Sequence, residues 1–449
     1  MSTPRHFDEA QALARDAFLG WTKRVNTGGG RQLLIDDVLG RISIALWSPF
    51  PKKAALKLLD DEMKGAAGPF WSGSVYRVTS AEGSAWERMW ESAVFLDRES
   101  RNLKVLEKPL SRLHWFDPPR PIESKPKDTR TIAFLSFKGG VGRTTALAAF
   151  AIQRARSGEN VAVLDLDLDA PGVGRLLSDD APRAQAPYGV VDFLLEAPWI
   201  DDIDLNEYVH RCARPQVTET GSISVIPAGT LNDNYLPKIA RVELNSELEG
   251  PGARYGFSAL LEKTRNMAPR PAWILIDGRA GLSEAAGLLL SGIADLHVIV
   301  ATASEQSYDG LALTIEHIGA RRLRSGDETT QAEVLIAQSM IPDDSVVGRL
   351  VQERFEERLE DIFRARYYAK DPDTDEDRWW SLADMDSLEA PHRPVPLGYK
   401  GRFVSFERID EIADDLVNER DYAALGDRIL GVFGAATPDM EDPGDETDE

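Results

Sequence analysis

The chain has 449 residues, 43% hydrophobic and 28% charged, which is enough for two or three domains and a large buried core. No run reaches about 18 apolar residues and the start lacks a basic-then-apolar pattern, so neither a membrane span nor a secretory leader is expected. The single cysteine, Cys212, cannot close an internal disulfide or hold a zinc ion or cluster by itself. The net charge of −22 is uneven: residues 1–127 hold 20 Lys+Arg against 16 Asp+Glu, and residues 128–449 hold 32 against 58. An acidic body repels phosphate backbones, which makes nucleic acid an unexpected partner, and the composition reads as cytoplasmic.

From the start, DEAQALARDAF reads as a helix, ISIALW as a strand, KKAALKLLDDEM as an amphipathic helix, and SGSVYRV and ESAVFL as strands. Residues 1–116 are therefore expected to form a small α+β domain. Gly28–Gly30 follows no strand and precedes no lysine, and it reads as a flexible loop. Six of the ten tryptophans fall in this part: Trp21, Trp47, Trp71, Trp86, Trp90 and Trp115. They either fill a small core or form a surface for a protein partner. Residues 117–130 open with four prolines in DPPRPIESKPK and read as a linker.

Beyond it the pattern changes. TIAFLSF, NVAVLDLDL, ISVIPAG, WILIDG, ADLHVIVAT and AEVLIAQSM are short apolar runs separated by helical stretches. One of these, TTALAAFAIQRARSG, is stopped by Gly158. Such alternation predicts an α/β fold with a doubly wound, mostly parallel sheet over residues 131–436. Residues 343–369 and 404–434 read as helical, and residues 437–449 hold seven acids and no base, an acidic tail expected to be disordered.

Between the first of these strands and the next helix lies KGGVGRTT, residues 138–145. A glycine-rich turn there aims successive backbone N–H groups inward, and the helix N-terminus adds positive charge, so the loop is built for phosphate. Gly139, Gly140, Val141, Gly142, Arg143, Thr144 and Thr145 are the expected nucleotide-binding residues. Thr144 is expected on Mg²⁺ and Thr145 near the α-phosphate. Alternation along a strand would let Asp165 and Asp167 face the phosphates together, unless the pair only caps the next helix.

KGGVG-[basic]-TT resembles the deviant Walker A motif of the ParA/MinD group of P-loop ATPases, which includes Mrp-like and nitrogenase iron-protein-like members. The resemblance implies that Lys138 crosses to the nucleotide of a second subunit in a face-to-face homodimer. VAVLDLDLDAPG, 161–172, matches the second-strand motif, which makes Asp165 a contributor to the Mg²⁺ site and Asp167 the residue that orients the attacking water. WILIDGRAGLSE, 273–284, matches the Walker B strand and switch II, with Asp277 an indirect Mg²⁺ ligand. The implied cofactors are ATP and Mg²⁺, with Lys138 and Asp167 catalytic and Thr144, Asp165 and Asp277 at the metal.

Three positions depart from the pattern. Arg143 stands for the P-loop lysine, Arg279 for a switch II proline, and Gln338 for a base-contacting asparagine. Residues 392–399, HRPVPLGY, fall where relatives place a loop beside the base, and Asp169 has no counterpart. One cysteine argues against a cluster carrier, an acidic C-terminus against a membrane anchor, the lack of a tyrosine cluster against a kinase, and the charge against DNA partitioning. Three readings remain open. The first is a slow ATPase that switches a protein partner through its N-terminal domain. The second is a non-hydrolysing nucleotide-binding module, as in a phage-defence system. In the third the sheet is a scaffold for an active N-terminal domain.

Overall fold

The computed structural model describes residues 6–434 apart from 26–28, 38, 80–83, 97–101, 109–114, 116–128, 179–187, 201, 243–255, 326–332, 344 and 369–379. Almost all of the expected linker and the whole acidic tail lie outside the described residues. The chain divides into two compact units, residues 1–111 and 112–449.

In the first unit, helix α1 (Phe7–Arg24) precedes β1 (Gln32–Asp36) and β2 (Ile42–Trp47). Helix α2 (Lys53–Ala67), β3 (Trp71–Val78), α3 (Ala85–Ser92), β4 (Val94–Phe95) and β5 (Leu103–Glu107) follow. The sheet order is β3-β2-β1-β5-β4, with β1 antiparallel to β2 and parallel to β5. Strand alternation feeds two cores. Leu34 joins Phe18, Trp21, Leu59, Met63 and Trp71 on one face, while Leu33 and Ile35 join Trp90, Trp47 and Trp86 on the other. The tryptophans of this unit therefore fill its cores. Trp21 donates to the Ala55 carbonyl at 3.1 Å and Trp71 to Asp60 at 2.9 Å, as buried indoles require.

Two local expectations are corrected here. ESAVFL is not one strand, because Glu91 and Ser92 finish α3, whose N-cap Ser84 accepts from the Glu87 N–H, and only Val94 and Phe95 pair. Gly30 is a close-approach position, since a Cβ there would lie 2.7 Å from the Trp47 carbonyl oxygen.

The second unit is an eight-stranded sheet ordered β13-β12-β11-β6-β10-β7-β9-β8. Its strands are β6 (Arg130–Leu135), β7 (Asn160–Asp165), β8 (His210–Arg211), β9 (Ser222–Ile226), β10 (Trp273–Asp277), β11 (Leu296–Ala301), β12 (Glu333–Ile341) and β13 (Val395–Gly398). Every pairing is parallel except β8 with β9. Helix α4 (Arg143–Arg156) and the C-terminal helices Ala413–Asn418 and Arg420–Val432 bury one face. Helices Val190–Glu196, Phe257–Arg265, Glu305–Ser325 and Ser345–Arg366 bury the other. This is the doubly wound α/β architecture expected. β8 and β13 were not anticipated. No described helix is long and apolar enough to cross a membrane.

Trp115 belongs with this second unit and not with the N-terminal domain, contrary to the expected boundary at residue 116. Its indole donates to the Ser283 carbonyl at 2.8 Å and its ring meets His317 at 5.0 Å.

The helix Glu305–Ser325 holds the strand end of the glycine loop in place. A Cβ on Gly310 would lie 2.0 Å from Cγ of Phe137, the residue before Lys138. Gly310→Ala is therefore expected to destabilise the unit by about 1–3 kcal/mol, the usual penalty of overpacking. Urea denaturation would read it, and an unchanged midpoint would show that the Phe137 ring can turn aside.

Candidate nucleotide site

Residues 136–142 link the end of β6 to α4. Gly140 and Gly142 take left-handed φ of 72° and 85°, a region glycine enters without strain. Val141 is buried and anchors the loop, while Lys138, Gly139 and Gly140 are exposed. No atom lies within 4 Å of where a Cβ would sit on Gly139, Gly140 or Gly142. Packing against the protein therefore does not require glycine at these places; the left-handed turn does at Gly140 and Gly142. Gly142 is the N-cap of α4 and offers no side-chain cap, so the first N–H groups of the helix remain open to an anion.

Three carboxylates meet at the carboxyl ends of β7 and β10. Asp277 is in register with Asp165 on the neighbouring strand. Thr144 Oγ1 donates to Asp277 Oδ2 at 2.7 Å. The Arg143 guanidinium lies between two acids: Nε donates to Asp277 Oδ1 at 2.6 Å and Nη2 to Asp167 Oδ2 at 2.8 Å. Nη1 is 3.4 Å from Ser136 Oγ. All three charged groups are buried. Removing one partner from such a pair costs about 3–5 kcal/mol because the other charge is left uncompensated.

Asp165 departs from the expectation that it and Asp167 face the same way. β7 ends at Asp165, so strand alternation does not carry through to residue 167. Asp165 accepts instead from the backbone N–H groups of Asp167, Gly172 and Gly174 at 3.1–3.3 Å. It ties down the loop that carries Asp167, which is the capping arrangement weighed against the functional one. Burial, and then the Asp277 charge, push the Asp165 carboxyl up to about 7. Burial also raises Asp277, against the pull of Arg143.

The hydroxyl–carboxylate pair of Thr144 and Asp277 suits a hard cation that keeps water and phosphate among its ligands, as Mg²⁺ does. Among the described residues no group of three or more His, Cys, Asp or Glu could hold a metal ion alone.

Beside Gly142 and Thr145 a small cavity is lined by Ser339, Met340, Gly398, Tyr399, Lys400 and Phe403, among others. The 392–399 segment therefore borders the loop. Gln338 does not line the cavity: it is buried and its amide donates to the Val351 carbonyl at 3.4 Å. A bulge between β12 and β13 turns Met340 to φ 59°, which sequence patterning gave no sign of. Two residues outside the pattern pair with each other, since Arg279 of the switch II loop, which stands for a proline, forms an ion pair with Asp169, which has no counterpart. Opposite charge at the two unexplained positions was the signal available, but their separation in the chain hid it.

Residues 132–432 match the model of the CobQ/CobB/MinD/ParA nucleotide binding domain. Among curated proteins, the cytosolic Fe-S cluster assembly factor CFD1 of Chaetomium globosum is 39% identical over 59 residues, 13% of this chain and 20% of that protein. The factor of the same name in Coccidioides immitis is 26% identical over 122 residues, 27% of this chain and 36% of that protein. The chain thus spans a fifth to about a third of these relatives. Among solved structures, a plasmid partition protein of Borrelia burgdorferi is 14% identical with a TM-score of 0.39, covering 68% of this chain and 98% of that one. A Cyanothece McdA–ATP complex is 15% identical with a TM-score of 0.42, covering 68% and 95%. pNOB8 ParA bound to nonspecific DNA is 13% identical with a TM-score of 0.43, covering 68% and 98%.

Proposed function

The chain belongs to the CobQ/CobB/MinD/ParA nucleotide-binding family, and on that premise we propose that it is an ATP-dependent dimerisation switch with slow hydrolysis, which regulates a protein partner in the cytoplasm. The observation that carries this reading is the division of labour between two cations. Lys138 stands exposed on the glycine loop, and Arg143 is buried among the carboxylates. An exposed lysine beside the phosphate seat is placed to serve a nucleotide held by a second copy.

In this reading the backbone N–H groups of residues 139–145 bind the phosphates, and the cavity beside Thr145 receives the base end. Thr144 and Asp277 would hold Mg²⁺, whose chemistry is to neutralise charge on the β- and γ-phosphates. Asp167 orients the attacking water. Asp165 contributes by fixing the loop that bears Asp167. The first unit, residues 1–111, is the part we assign to the partner. Metal-cluster cargo is not part of the proposal, because Cys212 is the only cysteine. Duplex DNA belongs among the partners to be tested, although 58 acids against 32 bases in residues 128–449 oppose it.

One observation favours a second reading, a nucleotide-binding module that does not hydrolyse. Arg143 occupies Asp167, the carboxylate needed by the water. Single-turnover hydrolysis by wild type and Arg143→Lys separates the two. Lysine has one compact charge and cannot span two carboxylates as the planar guanidinium does, so it should release Asp167 and follow the phosphates. Turnover should rise roughly tenfold, about 1.4 kcal/mol in barrier. If neither protein hydrolyses ATP over hours, with or without candidate partners, the second reading replaces the first. If only wild type turns over, the site is built around arginine.

A further inference from the structure

Arg143 presents two different groups to two different places. Its main-chain N–H opens α4, where an anion would be held, while its side chain turns away to Asp167 and Asp277. Nε and Nη2 are both engaged, and Nη1 faces Ser136 at 3.4 Å. Only 9% of the side chain is exposed, against 12% for Asp167 and 1% for Asp277.

We propose that Arg143 is the resident cation of the carboxylate cluster, and that it makes nucleotide binding at this loop nearly independent of Mg²⁺. The inference rests on the nucleotide-binding reading above and deepens it. Phosphate is repelled by unneutralised carboxylates nearby, and a divalent ion ordinarily relieves that repulsion. Here a permanently charged guanidinium already sits on two of the three carboxylates. Its bonds to them are short, charge-assisted and shielded from water, so an arriving nucleotide has little reason to draw it out. The phosphates are left to the backbone N–H groups and the helix N-terminus, which do not change with the metal. Thr144 remains able to meet Mg²⁺, but the ion adds little affinity. A lysine at this position carries the same single charge but could meet only one carboxylate or the phosphates, so the other acid would stand unpaired near the phosphates and the metal would have to meet it.

The test is equilibrium titration of a fluorescent ADP analogue against the full-length protein, in Mg²⁺ and in EDTA. Wild type should change its affinity less than fivefold between the two. Arg143→Lys should change at least tenfold, being weaker in EDTA. Should Arg143→Lys prove unfolded by thermal melting, Arg143→Gln provides the same comparison, because it keeps the polar stem and removes the charge. A wild-type change of fivefold or more would overturn the inference alone and leave nucleotide binding standing. Equal metal dependence in wild type and variant would also overturn it. No binding in either medium would overturn both this inference and the reading on which it rests.

Discussion

Gly142→Val is expected to weaken ATP and ADP binding at least about 100-fold, or about 2.8 kcal/mol. Two effects combine. Gly142 has φ 85°, where a β-branched residue is strained by about 1–3 kcal/mol. The chain can relieve that strain only by unwinding the turn that aims the loop N–H groups at the phosphates. The new side chain also projects into space that the protein's own atoms leave open within 4 Å, the space a ligand would use. Titration with a fluorescent ATP analogue measures the effect, and thermal melting checks the fold. Gly139→Ala is a milder companion. Its φ is not left-handed and its Cβ would meet nothing, so the fold should be untouched while close approach of phosphate is hindered. Equal affinity for wild type and Gly142→Val would sink the nucleotide assignment.

The loop was legible in the sequence because its requirements are local. A left-handed turn needs glycine at Gly140 and Gly142, and the apolar run TIAFLSF before it and the alanine-rich stretch after it declare the strand and the helix. The central strands were legible for a related reason: buried on both faces, they read as unbroken apolar runs. Edge elements were not. β13 is four residues containing Pro396, and β8 is two residues, too short for any period to register. α3 was obscured because Val94 and Phe95 follow it directly and lend the stretch a strand-like look.

The sequence singled out Asp165, Asp167, Asp277, Arg143 and Thr144 as site candidates, and the structure brings them together. It did not reveal which way each side chain turns. Asp165 turns to the backbone of Gly172 and Gly174, a choice set by the path of the loop between the strand end and the next helix. Arg143 could pair with phosphate or with carboxylate on chemistry alone. Only the register that sets Asp277 beside Asp165 and packs Thr144 against it shows that two acids lie within the guanidinium's reach. The pairing of Asp169 with Arg279 depends on the same approach of the two loops.

Lys138→Ala and Asp167→Ala should fail in opposite ways. Lys138 is exposed, and the N–H groups that hold the chain's own nucleotide belong to the backbone, so Lys138→Ala should bind ATP within about threefold of wild type. What it should lose is the ammonium proposed to cross to the other nucleotide. Truncating one side of a buried, charge-assisted contact costs about 2–5 kcal/mol. In a two-fold symmetric dimer the loss occurs twice, so dimerisation at micromolar protein should vanish. Asp167→Ala leaves Lys138 and the loop intact. Arg143 keeps its bond to Asp277, which limits the damage to the fold, but no carboxylate remains to orient the water. ATP should then close the dimer and hold it closed. Sedimentation velocity with no nucleotide, with ADP and with ATP distinguishes the cases. Wild type should dimerise with ATP and return to monomer as ATP is consumed, Lys138→Ala should stay monomeric throughout, and Asp167→Ala should remain dimeric after wild type has dissociated. A wild-type monomer in every nucleotide would remove the switch, and a Lys138→Ala protein that dimerises as wild type does would show that the exposed lysine serves no second subunit.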